Sequence, residues 1–108
     1  MEQPDGGQPR YAVIFVSKLR PSSEGYAAVA EEMVALVQQQ PGFLGFDSVR
    51  GDDGVGITVS YWESLAAIEA WRHQPPHLRA QQQGREAFYE SFSVHVTRIE
   101  RSRRYSAL

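Results

Sequence analysis

The stretch FLGFDSVRGDDGVGITVSYW, residues 43–62, decides the fold of this chain. Two runs rich in β-branched and aromatic residues, 43–50 and 55–62, flank the tetrapeptide GDDG. An Asp-Gly pair between such runs is a strong signal for a β-hairpin, so we predict two adjacent antiparallel strands. Tyr61 and Trp62 should point to opposite sides of their strand, one into the core and the other into an interface.

A strand and a helix precede the hairpin. The segment RYAVIFVSKL, residues 10–19, is apolar almost without interruption from Tyr11 to Val16, which predicts a strand covered on both faces. Over residues 26–40, apolar side chains recur at three- and four-residue steps, the pattern of an amphipathic helix. Ser22 or Ser23 is the candidate N-cap of this helix.

Two helices and a strand follow the hairpin. Leu65, Ile68 and Trp71 stand at helical spacing in ESLAAIEAWRH, behind Ser64 as the candidate cap. Two prolines cannot continue this helix but can open a third one, which we predict over residues 75–91. The last predicted strand, residues 92–100, alternates apolar with polar side chains.

The order β-α-β-β-α-α-β predicts an α+β fold of the ferredoxin-like type. In this split βαβ arrangement, helices cover one face of a four-stranded antiparallel sheet. Both the odd-numbered and the even-numbered positions of the predicted strands carry apolar residues, and these positions point to opposite faces of the sheet. The face without helices should therefore be apolar as well. A large open apolar face usually marks an interface, and we therefore expect a homodimer formed through the sheet face.

Composition narrows the classes of protein. A length of 108 residues suits one domain, which we place at 10–102, after a disordered leader at 1–9 and before a short basic tail at 103–108. The net charge of −2 argues against a nucleic-acid-binding protein. The lack of cysteine excludes disulfides, thiolate metal sites and cysteine nucleophiles, and it suits a reducing compartment. Because the apolar runs are too short to span a bilayer, we expect a cytoplasmic protein without membrane partners.

The joint between the second and third predicted helices holds most of the candidate chemistry. His73 and His77 have the spacing of a two-histidine metal face, but two prolines interrupt the helix between them, so we expect no metal site. His77, Gln81 and Arg85 follow at four-residue steps and form one polar line. A histidine there can take a phenolic proton while Gln81 and Arg85 hold the oxyanion; the alternative is a solvated helix face.

Two more residues have open assignments. Trp71 continues the stripe of Leu65 and Ile68, so it packs in the core, forms a wall of a substrate site, or does both. His95 lies in the middle of the last strand, where we expect a structural or interface histidine.

The segment GITVSYWESLAAIEAWRHQPPHLRAQQQGREAFYESFSVHVTRIER resembles the antibiotic biosynthesis monooxygenase domain. The most specific features are the PGFLG turn after the first helix, the YWES junction and Trp71. The resemblance covers residues 10–105. It implies a ferredoxin-like domain that packs sheet on sheet as a dimeric α+β barrel, with an apolar pocket between sheet and helices.

The resemblance also implies an activity. Some members of the family oxidise aromatic quinols with molecular oxygen and without metal or cofactor. The resemblance therefore implies a cofactor-independent monooxygenase that acts on a small aromatic or quinol-like substrate. The catalytic candidates are His77, Gln81 and Trp71, and the substrate-binding candidates are Ser17, Tyr61, Arg85 and Tyr89.

Two alternatives stay open. One is a non-catalytic dimer that binds a small apolar molecule, for example as a stress-related module. The other is haem degradation, for which family members use an Asn on the first strand, a Trp on the second helix and a His on the third. Trp71 matches that Trp, whereas Ser17 and Gln81 stand at the other two positions and the chain has no Asn.

Overall fold

The computed structural model describes residues 9–107, so the predicted leader falls outside the described residues except for Pro9. Four strands form one sheet: β1 (Tyr11–Leu19), β2 (Phe43–Arg50), β3 (Val55–Trp62) and β4 (Tyr89–Arg98). The helices are α1 (Tyr26–Val37), α2 (Leu65–Arg72) and α3 (Pro75–Gln83). A π-helical turn, Gly84–Phe88, joins α3 to β4.

The sheet has the order β2-β3-β1-β4, and each neighbouring pair is antiparallel. The 43–62 hairpin forms as predicted, and β1 lies at the centre between β3 and β4. Four antiparallel strands with three helices in this order confirm the predicted ferredoxin-like α+β fold. Among the described residues, no helix is long and apolar enough to cross a membrane.

Strand alternation divides the side chains between two faces of the sheet. One face, here called the helix face, includes Phe15, Ser17 and Arg50, and the last of these contacts the Tyr26 ring at the start of α1. Trp62 lies on the same face and is only 1% exposed. The prediction that Tyr61 and Trp62 point to opposite sides of β3 is confirmed. Trp62 is the residue of the pair that lies in the core.

The opposite face, here called the open face, has an apolar half and a polar half. Val55 and Ile57 of β3 are 38% and 44% exposed there, although β3 is an inner strand of the sheet. On β4 the same face carries Ser93 and His95, both exposed. On β1 itself, Ser17 of the helix face and Ala12 of the open face are both buried.

The predicted cap of α1 is wrong. The helix begins after Gly25, whose φ of 87° lies in the left-handed region, and it has no side-chain cap hydrogen bond. Ser23 contributes its backbone carbonyl instead, which accepts from the Tyr26 amide at 3.1 Å. The glycine turns the chain into the helix two or three residues later than a cap at Ser23 or Ser22 would have done. By contrast, Ser64 caps α2 as predicted, because its hydroxyl accepts from the Ala67 amide at 3.1 Å.

The predicted length of the third helix is also wrong. α3 ends at Gln83, and β4 begins at Tyr89 rather than at residue 92. Arg20 explains part of this change, because its backbone amide donates to the Phe88 carbonyl at 2.8 Å and its Nε donates to the Tyr89 carbonyl at 3.1 Å. These long-range bonds draw the segment into the sheet against its helical pattern.

Candidate functional site

Three of the predicted site residues meet at the joint between α2 and α3. The His77 imidazole stacks on the Trp71 indole, with ring centroids 4.1 Å apart and planes inclined by 17°. His77 Nδ1 lies 3.0 Å from the Trp71 carbonyl oxygen. Because a carbonyl can only accept, Nδ1 carries the proton in the neutral ring and Nε2 keeps its lone pair. The contact thus fixes the tautomer that a base needs.

Burial sets the charge of this histidine. It lowers the pKa of His77 below the ordinary value, and the hydrogen bond to the Trp71 carbonyl opposes part of that shift. Desolvation disfavours the charged imidazolium, so the ring is neutral at pH 7. A neutral imidazole with a lone pair on Nε2 can accept a proton from a phenolic hydroxyl.

The predicted polar line of α3 is only partly present. Gln81 Nε2 lies 3.4 Å from His77 Nδ1 and donates to the Arg72 carbonyl at 3.2 Å, so this amide ties α3 to the end of α2. Arg85 lies beyond the end of α3, in the π-helical turn, and is exposed. The line of three side chains required one continuous α-helix through residue 85. His77 and Gln81 therefore lie together on α3, whereas Arg85 lies in the turn that follows this helix.

Ser17 and Tyr89 belong to a second cluster, at the end of the sheet where β1 leads into α1. Ser17 is 2% exposed, and its hydroxyl accepts from Arg50 Nη2 at 2.8 Å. The same Nη2 donates to the Tyr26 hydroxyl at 3.2 Å. Tyr26 in turn lies against Tyr89, with ring centroids 5.9 Å apart. Sequence reasoning missed Arg50 and Tyr26, which connect the two predicted residues.

Aromatic rings surround this second cluster. Phe15 contacts the Tyr89 ring edge to face at 5.5 Å and the Phe92 ring at 5.8 Å. Burial raises the pKa of Tyr89, and the neighbouring Tyr26 hydroxyl raises it further, so this phenol stays protonated at neutral pH. Next to these rings, β4 presents an apolar row on the helix face that the helices leave about half exposed. We call this row, Phe92, Val94 and Val96, the β4 strip.

Tyr61 is separated from both clusters, because it lies on the open face. Its hydroxyl donates to Asp47 Oδ2 at 3.2 Å, and burial together with this carboxylate raises its pKa. A position on the open face fits the interface side that the sequence predicts for one of the two aromatic residues at the end of β3. It does not fit a site shared with Ser17, which faces the helices.

The remaining histidines take no part in either cluster. His73 lies on the exposed end of α2, where its Nδ1 is 2.8 Å from the Glu69 carbonyl. His95 is exposed on the open face of β4. Within residues 9–107, no group of three or more His, Asp or Glu side chains is placed to hold a metal ion.

Known proteins support the fold and identify the family. The family model described as antibiotic biosynthesis monooxygenase matches residues 10–83. The uncharacterized protein YqjZ of Bacillus subtilis is 52% identical over 95 residues, which covers 88% of this chain and 83% of that protein. This chain belongs to the antibiotic biosynthesis monooxygenase family.

Solved structures of low sequence identity share the fold. SnoaB, a cofactor-independent oxygenase from Streptomyces nogalater, superposes with a TM-score of 0.74 at 14% identity, covering 88% of this chain and 97% of that one. Rv0793 from Mycobacterium tuberculosis superposes with a TM-score of 0.71 at 21% identity, covering 91% of this chain and 98% of that one.

The positions that haem-degrading members would use do not fit haem in this chain. Ser17 is buried and accepts a hydrogen bond from Arg50, and the Gln81 side-chain amide donates to the Arg72 carbonyl. A glutamine side chain also lacks the imidazole nitrogen that commonly binds haem iron.

Proposed function

We propose that the protein is a cofactor-independent monooxygenase that oxidises a small aromatic or quinol-like substrate with molecular oxygen. The observation that carries this proposal is the His77–Trp71 contact. It leaves a neutral imidazole with its Nε2 lone pair next to an aromatic wall. Membership of the family and the likeness to SnoaB support the same reaction class.

The reaction requires a base but no resident redox group. His77 accepts the proton of the substrate hydroxyl or its tautomer, and the resulting anion supplies electrons to oxygen. For an anthrone-type substrate, a ring CH₂ becomes C=O. One oxygen atom ends on the carbon, and the other leaves as water with the two hydrogens. The four electrons lost by the carbon reduce both oxygen atoms, so the step balances. Trp71 orients the His77 ring by stacking on it and borders the substrate, and Gln81 keeps α3 against α2.

The test is oxygen uptake by the purified protein with a panel of phenols, naphthols and anthrones and no added cofactor. We expect uptake above autoxidation that falls by about 10²- to 10⁴-fold in His77→Ala, the usual contribution of a general base. His73→Ala is the matched control, because His73 also holds a backbone carbonyl through Nδ1 but lies on the outside of α2. Equal rates for His77→Ala and the parent protein would remove His77 from the reaction. Tight binding of a panel compound without uptake would favour the non-catalytic binding protein.

We further propose that two copies pair through their open faces. The apolar half of that face is the support, since Ile57 is 44% exposed on an inner strand of the sheet. Ile57→Lys should convert the dimer into a monomer in light scattering coupled to size exclusion. Val34→Lys is the control, because Val34 on α1 is 38% exposed but lies away from the sheet's open face. A monomeric parent protein, or a dimer that persists in Ile57→Lys, contradicts this pairing.

A further inference from the structure

Arg50 crosses the helix face of three strands. Register places Arg50, Gly56 and Ser17 side by side on β2, β3 and β1. The Arg50 side chain passes over Gly56, where a Cβ would lie 2.5 Å from its Cζ atom. Beyond the glycine, its Nη2 reaches the Ser17 hydroxyl at 2.8 Å. Its Nη1 donates to the Gly54 carbonyl at 2.6 Å. The guanidinium is thus held over Gly56 by neutral oxygens, although Arg50 as a whole is exposed.

The charge of this guanidinium has no nearby counter-ion among the described residues. Within residues 9–107, no Asp or Glu side chain lies within 4.0 Å of the Arg50 guanidinium, whereas Lys18, Arg72 and His73 each lie that close to a glutamate. Arg50 instead lies 5.4 Å from the centre of the Tyr26 ring and donates to its hydroxyl. An arginine so placed exerts a positive potential on the two tyrosines beside it.

The positive potential makes the tyrosine hydroxyls stronger hydrogen-bond donors. The Tyr26 oxygen accepts from Arg50, which polarises the Tyr26 O–H group. Tyr89 lies next to Tyr26 and stays protonated; its hydroxyl is directed at Tyr26 in the free protein and can turn to an incoming anionic oxygen. Two phenolic donors backed by one fixed cation suit a negatively charged oxygen.

The surroundings specify a flat ring attached to that oxygen. Phe15 and Phe92 pack against Tyr89, and the exposed side chains of the β4 strip continue from Phe92 along the same face. A ring that lies on this strip gains apolar and aromatic contact, while its oxygen points to the tyrosine hydroxyls. A small inorganic anion would lack the ring contacts, and a neutral phenol would lack the charge.

We propose that Tyr26, Tyr89 and Arg50 form a binding site for the phenolate form of an aromatic ligand. Tyr26 and Tyr89 contact the oxygen, and Arg50 acts as a positioning residue through Tyr26. This inference goes beyond the proposed function, because the site lies in the second cluster and shares no residue with the His77–Trp71 contact.

The experiment measures which protonation state of 4-nitrophenol the protein prefers. The visible absorbance of the nitrophenolate is titrated against pH with the protein in excess and again without protein. We expect the midpoint of the bound compound to fall by about one pH unit or more, a preference of roughly tenfold for the anion. Tyr89→Phe and Tyr26→Phe each remove one hydroxyl without emptying the core and should abolish most of this preference. Arg50→Met should do the same, provided that circular dichroism shows a folded chain.

Matched variants separate the possible explanations. Arg79→Met removes an exposed arginine of α3 and should leave the midpoint at the parent value. An unshifted midpoint in the parent protein overturns the proposal, as does a shift that survives Tyr26→Phe and Tyr89→Phe. Loss of the shift in Arg85→Met but not in Arg50→Met also overturns it, since the anion would then be held by Arg85. Because this readout needs no oxygen, a protein that binds nitrophenolate but never consumes oxygen would disprove the oxygenase and leave the binding site standing.

Discussion

The contact between Arg50 and Gly56 predicts a strong energetic coupling between two positions on neighbouring strands. Alanine at position 56 should by itself stabilise the strand by about 0.5–1 kcal/mol, because glycine loses more backbone entropy on folding. The added Cβ, however, would lie 2.5 Å from Arg50 Cζ and 2.7 Å from its Nη2, so the guanidinium must leave. The buried Ser17 hydroxyl then loses a charged donor, at a cost of about 1.5–3 kcal/mol. We expect Gly56→Ala to destabilise the parent protein by a net amount of about 1–2 kcal/mol.

The double-mutant cycle gives the sharper test. In an Arg50→Ala background no guanidinium remains over position 56, so Gly56→Ala should become neutral or stabilising by up to about 1 kcal/mol. The coupling free energy is therefore about 2 kcal/mol, well above the additivity expected of independent sites. Urea unfolding of the four proteins at one fixed subunit concentration measures it. Additive effects, within about 0.5 kcal/mol, would refute the reasoning.

Two further predictions concern Gly84 in the π-helical turn and the pH dependence of stability. Gly84→Ala should lower the melting temperature, with a cost of about 1–3 kcal/mol, because its Cβ would meet the Tyr89 ring at 2.8 Å; a higher melting temperature would contradict this contact. The folded chain lowers the pKa of His77 below 6.5, so the unfolded chain binds more protons and the free energy of unfolding should decrease as pH falls through the range just below 6.5. His77→Gln should flatten that dependence in urea titrations at several pH values, and an unchanged slope would count against the buried neutral ring.

Local signals in the sequence were enough to predict the order of the helices and strands. The Asp-Gly pair marks the hairpin, the apolar spacing marks α1 and α2, and the two prolines mark the start of α3. They failed where a distant residue decides the local structure. The segment from Tyr89 to Ser91 has a helical pattern, but bonds from Arg20 and pairing with β1 make it a strand.

In the candidate site, too, contacts between residues close in sequence could be predicted and contacts between distant residues could not. His77 and Gln81 could be brought together by spacing alone, because four residues make about one helical turn. Arg50 and Ser17 are 33 positions apart, and their contact depends on the register of three strands, which no spacing reveals. One sequence signal did exist. Gly56 interrupts a run of β-branched and aromatic residues, and a glycine inside a strand often marks a close approach by another group.

The central position of β1 has a consequence for the order in which the protein can be completed during synthesis. β1 leaves the ribosome first and β4 last, yet they are neighbours, so that Thr97 donates to the carbonyl of Ala12 from 85 positions away. Until β4 arrives, one edge of an apolar strand has unpaired amides and carbonyls, which other chains can pair with. Nascent chains stalled before residue 89 should therefore aggregate or recruit chaperones, whereas release of the whole chain closes that edge.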